Sequence, residues 1–125
     1  KIKENTDMYI VNTYGKTKAF FKVCEIVFLG GSMIKHGGQN PLESARYGCK
    51  ILHGPHIWNF YEVYNLLEKY KVSHKINNPN QMVNKIDRIF KNKNDSLVIK
   101  NKIKSLGNKI LNLTIKEVNF LIDKK

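Results

Sequence analysis

Between Gly30 and Glu43 the chain sets out the residue types that an anion cradle needs. The stretch reads Gly30-Gly31-Ser32-Met33-Ile34-Lys35-His36-Gly37-Gly38-Gln39-Asn40-Pro41-Leu42-Glu43. Glycine lets main-chain N–H groups approach a ligand with no Cβ in the way. Asn40-Pro41 then opens a helix, with Asn40 as N-cap, Pro41 at the first helical position and Glu43 close behind. A helix start adds unbonded N–H groups and the positive end of a dipole. The same glycines would also serve a tight strand-to-helix turn, and Asn40 would cap its helix with or without a ligand.

Two further turns carry polar groups. Gly54-Pro55-His56 is followed by Asn59, and Thr13 sits in the turn Thr13-Tyr14-Gly15-Lys16. Lys35 and His36 suit a carboxylate, although an exposed loop accounts for them equally well. Cys49, His53 and His56 lack a fourth ligand for a zinc site, so no metal is expected. Trp58, just ahead of a helix, is the aromatic residue whose role as core or as stacking platform stays open.

The elements around these turns follow from pattern. Met8–Asn12 reads as a strand, and a short helix carries Ala19, Phe20, Phe21 and Val23. The apolar run Ile26–Leu29 reads as a buried strand ahead of the glycine loop. The helix from Pro41 ends near Tyr47, with Gly48 as its C′ residue. Lys50–His53 is the next strand. Asn59-x-x-Glu62 is a capping-box pattern opening a helix with Phe60, Val63, Tyr64, Leu67 and Tyr70 on its core face. Val72–Ile76 reads as a last strand, and Asn77–Asn80 as a turn. Met82, Val83, Ile86, Ile89 and Phe90 line a further helix. Another begins at Asp95 or Ser96 and carries the stripe Ile99, Ile103, Leu106, Ile110 and Leu113. Thr114-x-x-Glu117 predicts a separate final helix, Ile115 to about Asp123.

Strands alternating with helices predict an α/β fold, a parallel sheet flanked by helices. Ligands of such sheets sit at the carboxyl ends of the strands. The Thr13, Gly30 and Gly54 turns all lie at such ends, so the fold would gather them at one crevice.

The chain has 125 residues and a net charge of +12, from 22 basic and 10 acidic side chains. That length allows one domain. The charge suggests an anionic partner: a phosphorylated substrate, a membrane surface or nucleic acid. No arginine-rich arm or zinc-finger spacing supports base readout, and no nucleic-acid partner is expected. No apolar run is long enough to span a bilayer. Two cysteines, Cys24 and Cys49, fit a reduced, cytoplasmic chain better than a disulfide scaffold.

From Met8 to Tyr70 the motifs resemble the C-terminal part of 3-deoxy-D-manno-octulosonic acid (Kdo) transferases. The family pattern runs D-T-x-G-E, F-V-G-G-S, G-G-H-N-P-L-E, G-P-H and N-F. Here the order is Asn12-Thr13-Tyr14-Gly15-Lys16, Phe28-Leu29-Gly30-Gly31-Ser32, Gly37-Gly38-Gln39-Asn40-Pro41-Leu42-Glu43, Gly54-Pro55-His56 and Asn59-Phe60. Asn12 and Lys16 stand where the family has acids, and Gln39 where it has histidine. Two family turns that help hold the donor, S-T-x-x-G-E and P-R-H, have no counterpart.

The resemblance implies the C-terminal portion of the donor-binding domain of a GT-B glycosyltransferase, a partial Rossmann-like sheet. The complete enzyme would transfer Kdo from CMP-Kdo to a lipid A precursor, in lipopolysaccharide biosynthesis, at the cytoplasmic face of the bacterial inner membrane. It would meet an anionic membrane surface and need no cofactor. Phosphate contacts fall to Gly31, Ser32, Gly38, Gln39 and Asn40, mostly through the backbone, and the ribose hydroxyls to Glu43; Gly30 and Gly37 complete the donor-binding set. Thr13, Gly54, His56 and Asn59 would form a second turn of the pocket. No catalytic residue is expected in this chain, since the family's carboxylate base belongs to an N-terminal acceptor domain. A remnant or split-gene fragment of the same family is one alternative. A basic nucleic-acid-binding module is another, which uses the charge but leaves the glycines unexplained.

Overall fold

The computed structural model describes residues 3–92 and 96–124. In chain order the elements are α1 (Thr17–Phe21), β1 (Ile26–Leu29), α2 (Leu42–Arg46), β2 (Lys50–His53), a 3-10 turn (Trp58–Phe60), α3 (Tyr61–Lys69), β3 (Ser73–Lys75), α4 (Pro79–Lys91) and α5 (Ser96–Asp123). The three strands form one parallel sheet in the order β1-β2-β3. This is the α/β arrangement that the alternating pattern predicts, a partial Rossmann-like sheet flanked by helices.

Register brings the strand ends level. Leu29 pairs with His53, and His53 with Lys75. Neighbouring residues of a strand point to opposite faces. Ile51 and His53 therefore face one side, where His53 meets the ring of Tyr64 from α3. On that side Ala45, Ile51, Ile57, Tyr64, Leu67, Val72, Ile99 and Ile103 pack into the core. Leu52 and its neighbour in register, His74, face the other side.

Local sequence explains most helix boundaries. Asn78 caps α4 by accepting a hydrogen bond from the Gln81 N–H (2.9 Å), and Pro79 takes the first helical position. At α2 the N-cap is Pro41 rather than the expected Asn40, whose carboxamide, just ahead of the helix, instead accepts from the Leu42 N–H (3.0 Å). Gly48 closes α2 with φ +87°, and a Cβ there would collide with the Ser96 carbonyl. Cys49 is buried with its thiol directed at the carbonyls of Phe21 and Cys24, which anchors the end of α1.

Several expectations need correction. Met8–Asn12 is not a strand but an exposed, irregular segment; no strand lies beside it to share a ladder among the described residues. The Asn59 capping box does not form, because Trp58–Phe60 makes a 3-10 turn and Phe60 precedes α3 without a side-chain cap. Thr114 starts no new helix. Its hydroxyl donates to the Ile110 carbonyl one turn back (3.0 Å), and α5 runs unbroken through it. Asp95, a candidate start for α5, lies outside the described residues.

The apolar stripe of α5 is only half used. Ile99 and Ile103 are buried, whereas Leu113 is 55% exposed. The total accessible surface is 9981 Å². A compact monomer of this mass would expose about 6,900 Å². The segment before α1 and the second half of α5 stand away from the core and account for much of the difference.

Truncating a core side chain should therefore cost far more than truncating the end of the same hydrophobic pattern. Leu67→Ala is expected to lower stability by about 2–5 kcal/mol, and Leu113→Ala by less than about 0.5 kcal/mol. Urea unfolding followed by circular dichroism checks both.

Candidate functional site

The two glycine turns meet above the carboxyl ends of β1 and β2, and Ser32 is the stitch between them. Its side chain is fully buried. The hydroxyl donates to the Leu29 carbonyl (2.6 Å) and accepts from the Gly54 N–H (2.9 Å). Its carbonyl accepts from the His56 N–H (2.9 Å). Further along, the Asn59 N–H donates to the Gly37 carbonyl (3.2 Å), and the Asn59 carboxamide donates to the His36 carbonyl (3.3 Å). The loop also closes on itself, from the Gly38 N–H to the Gly31 carbonyl (3.1 Å).

Side-chain size explains why glycines stand here. Gly37 has φ +98°, and a Cβ would run into the Asn59 carboxamide and come within 2.8 Å of the Trp58 indole nitrogen. At Gly54 a Cβ would strike the Ser32 carbonyl, the group that receives the His56 N–H. The glycines thus permit two loops to lie against each other.

Tyr64 supports the assembly from below. Its hydroxyl donates to the Gln39 carbonyl (2.9 Å), and its ring lies 4.4 Å from that of His53. Burial pushes the phenol up to about 12, so it keeps the proton it donates. His53 contacts the Gly54 carbonyl through Nδ1 (2.7 Å); a carbonyl only accepts, so Nδ1 carries the proton. Burial lowers the His53 pKa, and the Gly54 carbonyl opposes that shift. Helical spacing identifies Tyr64 as core, which it is; nothing in the spacing reveals that its hydroxyl reaches the loop.

The other expected residues differ in how much of them solvent reaches. Gly31 has intermediate exposure, Gly37 and Gly38 are buried in the loop, and Gly30, Gln39 and Asn40 are exposed. The N–H groups of Gly31, Ser32, Gly37, Gln39 and Asn40 donate no hydrogen bond among the described residues. The N–H groups of Gly30, Met33, Ile34 and Lys35 donate none either; Ser32 and Gly37 are buried, so the unbonded amides on residues that solvent reaches are those of Gly30, Gly31, Met33, Ile34, Lys35, Gln39 and Asn40. The Ser32 hydroxyl is already engaged in both directions and the residue is fully buried, so Ser32 joins the two loops rather than facing a ligand. Helix α2 has five residues rather than the seven of 41–47, and so little macrodipole.

Glu43 is half-exposed and lies 3.8 Å from Lys18 of α1. An exposed pair of this kind contributes little stability. His56 has intermediate exposure, with its ring edge-on to Trp58 at 5.8 Å. The Trp58 indole is 54% exposed, beside Gly37. Thr13 is exposed ahead of α1, in a shallow depression lined by Val11, Asn12 and Tyr14. No hydrogen bond joins it to the other two turns among the described residues, so the structure unites two of the three expected turns.

Comparison with known proteins agrees with the motif order. The chain is similar to 3-deoxy-D-manno-octulosonic acid transferases from several bacteria. It is 36% identical to that of Haemophilus influenzae over 64 residues, which cover 51% of this chain and 15% of the relative. It is 32% identical to that of Rickettsia prowazekii over 96 residues (77% and 20%), and 26% identical to that of Aquifex aeolicus over 84 residues (67% and 24%). The chain thus spans about a fifth of the length of the curated relatives it matches. No family model matches it.

Ser32→Ala should destabilise the fold by about 1–3 kcal/mol, because the buried Gly54 N–H loses its acceptor. Denaturant unfolding measures this. Acid should weaken the fold as well. Burial, with Lys85 and Lys50 nearby, lowers His74 from 6.5 to about 4, and burial lowers His53. Above pH 6.5 both states hold these rings neutral. Below it the unfolded chain takes up protons that the folded chain refuses, so stability falls between about pH 6.5 and 4. The unfolding midpoint should drop over that window, and His74→Gln should flatten the slope.

Proposed function

We propose that this chain supplies part of the nucleotide-sugar site of a Kdo transferase, as the C-terminal portion of the donor-binding domain in a GT-B enzyme. The observation that carries the reading is the pair of interlocked βα loops, whose unbonded amides sit at the carboxyl edge of a parallel sheet. Similarity to named transferases supports it independently.

The donor in this reading is CMP-Kdo. Glycosyl transfer breaks the bond between the sugar and the CMP phosphate, and negative charge grows on that phosphate as it leaves. Amides held in place beforehand stabilise such charge without reorganising. The N–H groups of Gly31, Gln39 and Asn40 fill that role, Ser32 joins the two loops, and Gly30, Gly37 and Gly38 give backbone clearance. Glu43 takes the ribose hydroxyls, which requires it to leave Lys18. His56 and Asn59 shape the second loop, Thr13 belongs to the turn ahead of α1, and the exposed Trp58 indole offers a face to the cytosine ring. The acceptor is a lipid A precursor, presented at an anionic membrane surface on the cytoplasmic side. The general base is supplied from outside this chain, by the acceptor domain. No helix among the described residues is long and apolar enough to cross a membrane.

Calorimetric titration tests the reading. CMP should bind, cytidine should bind at least tenfold more weakly, and Gly37→Ala should remove the difference. Equal affinity for CMP and cytidine would refute a phosphate cradle. Incubated with CMP-Kdo and a lipid A precursor, the chain alone should give no Kdo transfer; turnover would show that the base lies within it.

A further inference from the structure

The level strand ends leave a third position along the same edge. Lys75 ends β3 in register with His53, and His53 with Leu29. At a strand spacing of about 4.8 Å, Lys75 lies roughly 10 Å from the strand that feeds the glycine loop. Beside it opens a cleft of about 260 Å³, lined by Lys75, Ile76, Gln81, Asn84, Lys85 and Arg88. It is separate from the residues of the two interlocked loops.

Four of these residues come from one face of α4. Positions 81, 84, 85 and 88 recur at helical spacing. The apolar residues Met82, Ile86 and Ile89 fall on the other side of the helix. The face is thus two cations and two carboxamides, and Lys75 adds a third cation from the strand end. No carboxylate pairs with Lys75, Lys85 or Arg88 among the described residues. Asp87 is the nearest acid in sequence, and it sits about 100° around the helix from Arg88.

The orientation of Gln81 is a second, independent observation. Its side-chain carbonyl accepts from both the Asn77 N–H (2.9 Å) and the Asn77 carboxamide (3.3 Å). With the oxygen engaged by Asn77, the NH2 group of this cleft-lining residue remains as a donor. The neighbourhood is also electropositive enough to act on His74, where Lys85 and Lys50 reinforce the effect of burial.

We propose that the cleft between the end of β3 and α4 is a second anion site, taking a phosphate monoester between Lys75, Lys85, Arg88 and the Gln81 amide. Arg88 provides planar paired donors and the lysines provide charge. The site does not depend on the reading of the glycine loops. A phosphate monoester can arrive on a soluble sugar or at a lipid headgroup, and the recognising chemistry is the same.

The test uses the full chain and three proteins: wild type, Lys85→Gln/Arg88→Gln, and the control Lys102→Gln/Lys109→Gln, which removes the same charge from exposed positions of α5. Inorganic phosphate is titrated at constant ionic strength, with the Gln81 side-chain amide and the backbone amides followed by NMR. Wild type and control should shift at Gln81, Asn84 and Lys85 with affinities within twofold, and the α4 variant should bind at least tenfold more weakly. Sedimentation with phosphatidylcholine vesicles, with and without phosphatidic acid, identifies the source. Loss of vesicle binding in the α4 variant alone points to a lipid phosphate, and phosphate binding without vesicle binding points to a soluble one. Equal weakening in both variants, or shifts confined to other residues, would overturn the proposal.

Discussion

The candidate site depends on one buried hydroxyl. Ser32 receives the Gly54 N–H and gives its own proton to Leu29, so two loops separated by a helix and a strand behave as one surface. A serine in this place satisfies a donor and an acceptor at once. Its carbonyl adds the His56 N–H. The close approach that these bonds need is possible because Gly54 and Gly37 present no side chain to the opposing loop. Glycine here serves the contact between loops first, and the unbonded amides are what remains after that contact is made.

Much of this was legible in the residue order, and the reasons are local. Ile26–Leu29 is a continuous apolar run and Lys50–His53 has the apolar centre Ile51-Leu52; each is followed directly by glycine, and both form as expected. Gly48 and Asn40 act at the ends of α2 through their own backbone and side-chain preferences. What failed depends on partners. Met8–Asn12 has strand composition but no neighbouring strand among the described residues. The two capping-box patterns at Asn59 and Thr114 are outcompeted: Asn59 is drawn to the glycine loop, and Thr114 bonds back along an unbroken helix. The bond from Tyr64 to Gln39 spans a distance in sequence that no periodicity encodes. Thr13 belongs to the same motif series, yet among the described residues hydrogen bonds tie together the Gly30 and Gly54 turns and leave Thr13 out.

Electrostatics runs along the same edge. The chain carries +12 overall, but charge alone separates no ligand from any other anion. Selectivity has to come from where donors are fixed. In the glycine loops they are neutral amides held by the Ser32 stitch. At the end of β3 they are side chains on α4, ordered by the Asn78 cap and by Gln81. The pair of Lys18 with Glu43 is long and exposed, which leaves Glu43 available to a competing partner.

If the loop amides, rather than the net positive charge, grip a nucleotide phosphate, they must respond to it before any lysine does. Backbone 15N NMR during titration with CMP reads this residue by residue. Gly31, Gln39 and Asn40 should move first and saturate together, at an affinity that barely changes as salt is raised. Shifts spread over the lysines of α5 and lost with added salt would show that bulk charge, not the fixed amides, holds the nucleotide.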